Sequence, residues 1–265
     1  MSELPLRVED VAVRFGGLNA LDGVFLEVPP ATIVGLIGPN GAGKTTLFNC
    51  VTGVLRPTSG RVELFGQDVT DWPAHTRARL GVGRTFQRLE LFGSLTVREN
   101  LIVAAEAQAG RGGVVSDLLA LPPSVETRAE ALERAGAVLE RVGIAEYADA
   151  VAADLPIGLA RLVELGRALS TEPRLLLLDE PSSGLRAAES ARLATLLREA
   201  RDGEGLSSLV VEHDMGFVLE LCEYVYVLDF GRLLAEGSPA EIRRSPVVQS
   251  AYLGEESDDD APALR

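Results

Sequence analysis

The stretch that decides the fold is Gly38-Pro39-Asn40-Gly41-Ala42-Gly43-Lys44-Thr45-Thr46, in a chain of 265 residues. An apolar, β-branched run over 32–37 precedes it and predicts a buried strand, and a helical pattern follows from Gly43 to about Gly53. The stretch matches the pattern GxxxxGK[ST]. A strand before it and a helix after it are the context in which this pattern forms a phosphate-binding loop.

Each residue type in this loop suits a bound phosphate. The glycines let the backbone turn tightly and point N–H groups at phosphate oxygens. The following helix offers its positive N-terminal end to the same anion. We expect Lys44 to reach the β- and γ-phosphates of a nucleotide and the Thr45 hydroxyl to ligate Mg²⁺. A glycine-rich turn with a chance lysine is the alternative, which the motifs below disfavour.

Two further strand ends carry polar side chains. The apolar run over 175–178 ends at Asp179 and Glu180, and the run over 207–211 ends at Glu212 and His213. Asp179 is expected to hold Mg²⁺ through its water shell. Glu180 is expected to orient or deprotonate an attacking water. His213 is expected to contact the γ-phosphate and stabilise developing charge.

The rest of the chain alternates between strand and helix patterns. Strands are predicted over 8–15, 61–65, 207–212 and 224–228, and helices over 187–201 and 215–221. This order predicts an α/β fold with a mostly parallel sheet covered on both faces. Between about 94 and 157, Ala, Leu, Glu and Arg at helical spacing predict an inserted helical subdomain, with a loop over 110–123.

Taken together, these motifs resemble the ABC (ATP-binding cassette) ATPase family over residues 6–254. The resemblance implies a P-loop NTPase core, an antiparallel β subdomain, a helical subdomain at about 94–160, and ATP and Mg²⁺ as cofactors. It makes Glu180 the catalytic base, His213 the switch histidine, and Thr45, Gln87 and Asp179 the metal site. Gln87 also senses the permease in that family. The nucleotide-binding residues that it implies are Phe15, which stacks on adenine, and Gly38, Pro39, Asn40, Gly41, Ala42, Gly43, Lys44, Thr45, Thr46 and Gln87.

Two segments, 83–104 and 228–256, resemble one branch of the family, the ATP-binding subunits of branched-chain amino acid importers. In that branch two different ATPases pair beneath two different transmembrane permeases, and a soluble binding protein delivers the solute. This chain is similar to the larger ATPase of the pair. Members of the branch also serve urea or short amides, so the solute stays open.

The chain departs from the family pattern at two places. The signature loop usually reads LSGGQ or LSYGQ, and the aligned residues here are Leu155, Pro156, Ile157, Gly158 and Leu159. Proline has neither a hydroxyl nor an N–H, and leucine donates no side-chain hydrogen bond. Loss of one such donor at a developing charge costs ~2.7–4 kcal/mol. Arg186 stands where the family has Asp or Asn.

These departures favour a heterodimer. In the family each site combines the phosphate loop of one subunit with the signature loop of the other. A homodimer of this chain would therefore have two defective sites. A partner with a normal signature would restore the site that contains Lys44, Glu180 and His213.

Composition limits the partners and the location. The formal net charge is −14, which disfavours nucleic acid as a partner, and the basic residues Arg77, Arg79, Arg84 and Arg88 are interpreted as solvated helix charges. The acidic run over 255–260 predicts a disordered tail at 255–265. Neither a signal peptide nor a membrane-spanning run is found, so we expect a cytoplasmic protein that reaches the membrane through permeases. Cys50 and Cys222 are expected to be buried and not to bind zinc.

Three functions compete on these observations. The first is an importer ATPase. The second is an ABC ATPase of DNA repair or translation, although repair types carry a long coiled-coil insertion and translation types carry two cassettes. The third is a regulatory or structural subunit that binds ATP with little turnover, which Pro156 and Leu159 favour and Glu180 and His213 oppose.

Overall fold

A computed structural model describes residues 3–85, 89–109 and 125–253. Its strands are β1 Leu6–Phe15, β2 Leu18–Val28, β3 Ile33–Ile37, β4 Ser59–Leu64, β5 Gln67–Asp68, β6 Val82–Arg84, β7 Leu175–Asp179, β8 Ser207–Val211, β9 Tyr224–Asp229 and β10 Arg232–Gly237. Its α-helices are α1 Lys44–Thr52, α2 Ala74–Arg79, α3 Val97–Ala109, α4 Val125–Val142, α5 Ile157–Leu169, α6 Ala187–Glu204, α7 Met215–Leu221, α8 Pro239–Arg244 and α9 Pro246–Leu253. The predicted loop over 110–123 and the predicted tail over 255–265 lie outside the described residues.

The strands form two sheets. A six-stranded sheet has the order β10-β9-β3-β8-β7-β6, in which only the β10–β9 pair is antiparallel. A four-stranded antiparallel sheet has the order β2-β1-β4-β5. The prediction of an α/β fold with a mostly parallel sheet and an antiparallel β subdomain is confirmed.

The six-stranded sheet separates two hydrophobic cores. All residues of β3, β7 and β8 are buried, as expected for parallel strands covered on both faces. Because successive side chains point to opposite faces, Ile33, Ile37 and Leu178 pack with the helices α3 to α7, whereas Val34 and Leu36 pack with α1 and the antiparallel sheet. The sheet therefore links the helical part of the chain to the antiparallel part.

The helical part contains α3, α4 and α5 together with two 3-10 turns at Ala145–Tyr147 and Ala152–Asp154. Buried apolar residues such as Leu101, Leu139 and Leu162 join these helices to the core on that side of the sheet. The predicted subdomain limit at about 160 falls within α5, which continues to Leu169. The limits of the subdomain stay a prediction.

The interpretation of the basic cluster as solvated charge is wrong for Arg77 and Arg84, which are largely buried. The Arg77 guanidinium donates to the carbonyl oxygens of Cys50 (2.7 Å) and Val51 (2.8 Å), at the C-terminal end of α1, and also to that of Trp72 (3.0 Å). Carbonyl groups at the end of a helix lack partners within the helix. Arg77 supplies such partners and so anchors α1, the helix that starts at the phosphate loop, to α2.

Within residues 3–85, 89–109 and 125–253, the helices are too short or too polar to cross a bilayer.

Candidate active site

The phosphate loop connects the buried strand β3 to the start of α1, as the sequence predicts. Gly38 has φ 154°, and a Cβ there would lie 2.0 Å from the carbonyl oxygen of Leu228 in β9. Gly43 has φ 104°, and a Cβ there would lie 2.7 Å from the carbonyl oxygen of Ala20. Glycine is therefore required at both positions by backbone angle and by the close approach of other strands.

The Lys44 side chain lies across this loop and is largely buried. Its ammonium group donates hydrogen bonds to the carbonyl oxygens of Gly38 and Pro39, the latter at 3.0 Å. The N-cap residue of α1 is Gly43, which has no side chain with which to cap the N–H groups of the first turn. A lysine ammonium and the positive end of a helix dipole thus lie at one place, which is the arrangement that binds phosphate.

A cleft of about 480 Å³ opens over the loop. The predicted site residues that line it are Phe15, Asn40, Gly41, Ala42, Gly43, Lys44, Thr45, Thr46 and Glu180. The residues that line it without having been predicted are Leu18, Asn19, Ala20, Phe230 and Gly231. Gln87 lies outside the described residues. The structure thus brings the predicted aromatic, the loop and the predicted base to one cleft.

Asp179 ends β7 and is almost fully buried. Burial raises the pKa of its carboxyl group, and the Arg84 guanidinium, with Nη2 at 3.9 Å from Oδ2, opposes that rise. The backbone N–H of Asp179 donates to the Thr85 hydroxyl at 3.3 Å. A cation beside a buried carboxyl group favours its ionised form, and a bound divalent cation would act in the same direction.

Glu180 follows Asp179 with a strained backbone. Its φ of 48° lies in the left-handed region, which a residue other than glycine adopts at a cost of about 1–3 kcal/mol. Its N–H donates to the carbonyl oxygen of Val211 in β8 at 2.8 Å. Its Oε2 atom lies 3.9 Å from Nδ1 of His213. The predicted base and the predicted histidine therefore meet at the ends of neighbouring strands.

Glu212, at the end of β8, is a site residue to which the sequence motifs assign no role. It is fully buried, and its carboxylate accepts a hydrogen bond from the N–H of Ser182 at 2.8 Å and another from the N–H of His213 at 3.2 Å. It therefore ties the segment after Glu180 to the segment that carries His213. The signal in the sequence was an acidic residue directly after an apolar strand, which is equally typical of a solvated strand end.

The aligned signature residues lie at the start of α5. Pro156 caps this helix and provides no side-chain hydrogen bond, Ile157 is exposed and Gly158 is buried. A Cβ on Gly158 would lie 2.4 Å from Oε1 of Glu189. Glu189 in turn accepts hydrogen bonds from the backbone N–H of Arg186 at 2.8 Å and from its guanidinium at 3.0 Å. The Glu189 carboxylate therefore lies between the altered signature loop and Arg186, the two places where the chain departs from the family pattern.

A phosphate loop between a buried strand and a helix, with carboxylates at the ends of neighbouring parallel strands, defines a P-loop nucleoside triphosphatase. A family model described as "ABC transporter" matches residues 21–183, and the chain belongs to this family of ATP-binding cassettes. It is an ABC-type ATPase.

A second family model, described as "Branched-chain amino acid ATP-binding cassette transporter", matches residues 232–258. The chain is 45% identical to the high-affinity branched-chain amino acid transport ATP-binding protein LivG of Escherichia coli K12, over 96% of this chain and all of that protein. It is 41% identical to BraF of Pseudomonas aeruginosa, a protein with the same description, over the same shares. Among solved structures it resembles the ADP conformation of MJ1267, an ATP-binding cassette of an ABC transporter, with 31% identity, a TM-score of 0.82 and coverage of 96% and 100% of the two chains.

Proposed function

We propose that this chain is the ATP-hydrolysing subunit of an importer for branched-chain amino acids or a related small amide or amino acid solute. The observation that carries the proposal is the match of residues 232–258 to the branched-chain amino acid type, in a chain whose phosphate cleft is intact. The likeness to LivG and BraF extends over nearly the whole chain and supports the same solute class.

Partners and location follow from this proposal. The subunit binds two transmembrane permeases at the cytoplasmic face of the membrane, and a solute-binding protein supplies the solute on the other side. The net charge of −14 supports protein contacts rather than direct binding to nucleic acid or anionic lipid. The proposed permease contact involves Gln87 and the helical subdomain.

The chemistry uses the cleft as follows. The adenine base stacks on Phe15, and the phosphates lie on the loop under Lys44. Glu180 takes the proton of the attacking water, and His213 donates to the γ-phosphate as charge develops. The short separation of Glu180 and His213 supports this division of roles.

Thr45, Asp179 and Gln87 are the residues that would hold Mg²⁺, which supplies neutralising charge to the phosphates. The exposed Thr45 at the first turn of α1 and the carboxyl group of Asp179 fit an oxygen-preferring ion. Among residues 3–85, 89–109 and 125–253, no three His, Cys, Asp or Glu side chains are grouped to hold a metal by themselves. The remaining ligands would therefore come from phosphate and water.

We also propose that the working assembly is a heterodimer of two ATPases. The start of α5 offers no side-chain donor at Pro156 or Leu159. A nucleotide bound to the partner's phosphate loop would face this surface, and its hydrolysis would lack hydrogen-bond donors that are each worth ~2.7–4 kcal/mol of transition-state stabilisation. A partner with a normal signature loop leaves one full site, on this chain. A purified homodimer that hydrolyses ATP as fast as the complete assembly would contradict this proposal.

The test begins with a mild-detergent purification of the tagged chain from its native membranes, followed by mass spectrometry. Two polytopic permeases and a second ATPase are expected. ATP hydrolysis and leucine uptake are then compared for the assembly with Glu180→Gln and with Glu199→Gln, an exposed glutamate on α6. Loss of both activities only with Glu180→Gln supports the proposal. Hydrolysis unchanged by Glu180→Gln would favour the alternative function, a regulatory or structural subunit with little turnover, which the altered signature loop supports.

A further inference from the structure

Two hairpins of this protein are closed by the same dipeptide in the same turn. Phe65-Gly66 joins β4 to β5, and Phe230-Gly231 joins β9 to β10. The φ angles are 51° and 74° in the first turn and 43° and 76° in the second. A two-residue turn with both φ angles positive favours Asn-Gly, and a bulky aromatic at the first position is disfavoured. Both phenylalanines therefore need a compensating role.

The compensation at Phe65 is packing. Its side chain is only 4% exposed, and the Arg174 guanidinium lies 3.9 Å from the centre of its ring. Burial of the aromatic ring and the cation–π contact together offset the cost of the turn. Phe65 is thus a structural residue.

Packing does not explain Phe230. This side chain is 87% exposed, and it lines the nucleotide cleft together with Phe15, which is 52% exposed. Exposed apolar area gives no stabilisation that could offset the backbone cost. A strained residue at the edge of a substrate cleft is a sign of function rather than of stability.

The turn that carries Phe230 is fixed to the phosphate loop. The N–H of Gly231 donates to the carbonyl oxygen of Ala42 at 2.9 Å, and the Gly231 carbonyl accepts from the N–H of Asp22 at 2.9 Å. Arg232 pairs with the Asp22 carboxylate, with Nε at 2.8 Å from Oδ2. These contacts hold the base of the Phe230 side chain at a set position relative to the residues that bind phosphate. A contact from such a fixed turn costs little ordering entropy when a ligand binds.

We propose that Phe230 is a second base-contacting residue of the ATP site, and that its ring packs against the adenine while Phe15 stacks on it. The inference rests on the proposed function, because that proposal places the adenine at Phe15. It adds a residue from the far end of the chain to base recognition. An aromatic side chain can stabilise a bound base by stacking on its face or by packing edge to face against it, and different aromatic rings can make this contact.

Phe230→Asn tests this directly, because it removes the ring and installs the residue that the turn prefers. The dissociation constants of the full-length chain for ATP and for inorganic tripolyphosphate are measured by calorimetry. We expect a weakening for ATP of about fivefold, no change for tripolyphosphate, and a Tm equal to or above that of the unsubstituted chain. Phe230→Trp, which keeps an aromatic ring, should retain the affinity for ATP.

Phe65→Asn is the matched control, with the same substitution in the same turn. It should lower the Tm and leave the ratio of the two affinities unchanged. ATP affinity unchanged by Phe230→Asn but weakened by Phe15→Ala would overturn the role of Phe230 and leave the proposed function intact. ATP affinity unchanged by both substitutions would show that the base does not lie at Phe15, and the proposed placement would fail as well.

Discussion

A single buried carboxylate organises the catalytic edge of the sheet. Glu212 has no exposed surface, and both of its oxygens accept backbone hydrogen bonds, one from Ser182 and one from His213. Hydrogen bonds to an ionised group are among the stronger ones in proteins. The positions of Glu180 and His213 therefore depend on a residue that is not expected to touch the nucleotide.

We expect Glu212→Gln to lower kcat for ATP hydrolysis about tenfold, with a smaller change in KM. The side chain of glutamine has one acceptor oxygen, so the N–H of either Ser182 or His213 loses its acceptor. The geometry that aligns Glu180 with His213 then relaxes. The free energy of unfolding should fall by about 2 kcal/mol. Steady-state ATPase assays and urea denaturation measure the two effects. Glu220→Gln, at an exposed glutamate, is the control, and equal kcat values for the two variants would contradict the positioning role.

At the scale of elements, the start of α5 and the start of α6 are coupled. Gly158 lies against the Glu189 carboxylate, which accepts a hydrogen bond from the backbone N–H of Arg186, the N-cap residue of α6. A methyl group on Gly158 would lie 2.4 Å from Oε1 of Glu189 and would displace a carboxylate that already has partners. The N-terminal ends of the two helices therefore lie in close contact at Gly158 and Glu189.

Gly158→Ala should lower the free energy of unfolding by about 1 kcal/mol, the usual cost of a lost helix cap. In a Glu189→Ala background the same substitution should cost much less, because the clashing carboxylate is absent. A double-mutant cycle measured by chemical denaturation gives this difference. Additive effects of the two substitutions would show that the helices are not coupled here.

Elements with uniform local patterns were predictable, and elements shaped by distant contacts were not. The fully apolar strands β3, β7 and β8 and the glycine-rich loop carry their own signals. Burial in β2 alternates with period two only over 24–28, and the exposed Phe25 hides that alternation in the sequence. Before it, Gly23 has φ 73° and the pairing of β1 with β2 shifts register between Val8 and Arg14.

The same distinction holds within the site. Lys44, Asp179 and Glu180 stand in short motifs, whereas Phe15 was assigned from the family resemblance. The structure places Phe15, Lys44 and Glu180 around one cleft, with Asp179 beside Glu180 at the end of β7. Arg77, Glu212 and Phe230 owe their roles to partners many residues away. In the sequence Arg77 is only one of several neighbouring basic residues. No local sequence pattern distinguishes an arginine that caps the end of a distant helix from one that is exposed to solvent.

At the scale of the whole molecule, the two cores share the six-stranded sheet, and each contains one cysteine. Cys50 lies in the core with α1 and the antiparallel sheet, and Cys222 lies in the core with the helices. Burial raises the pKa of Cys50 to about 11 and that of Cys222 to about 12, from an ordinary value of 9.0. The folded chain therefore keeps both groups as unreactive thiols at neutral pH.

Adjacent residues of the same strand belong to different cores, so the two cores should unfold together. Both thiols should therefore become reactive at the same urea concentration. Labelling with a thiol reagent followed by peptide mass spectrometry measures each site. Labelling of one cysteine well before the other would show that the cores unfold separately.

The raised pKa values also predict how stability depends on pH. Above pH 9 the unfolded thiols release protons that the folded chain retains, so the free energy of unfolding should fall as pH rises. Between pH 8 and 10 the free energy of unfolding of Cys222→Ala should fall by about 1 kcal/mol less than that of the unsubstituted chain.

The order of strands also has a consequence for synthesis on the ribosome. β3 leads into the phosphate loop, and its two neighbours in the six-stranded sheet are β8 and β9, whose residues follow it by more than a hundred positions in the chain. Two contacts of the phosphate loop also need residues made later: the Ala42 carbonyl accepts from the N–H of Gly231, and Gly38 lies close to the carbonyl oxygen of Leu228. A nascent chain that has emerged only as far as α5 has the loop sequence but lacks both neighbours of its strand. We therefore expect a chain cut after α5 to bind ATP much more weakly than the full-length chain, which calorimetry on the two chains would measure.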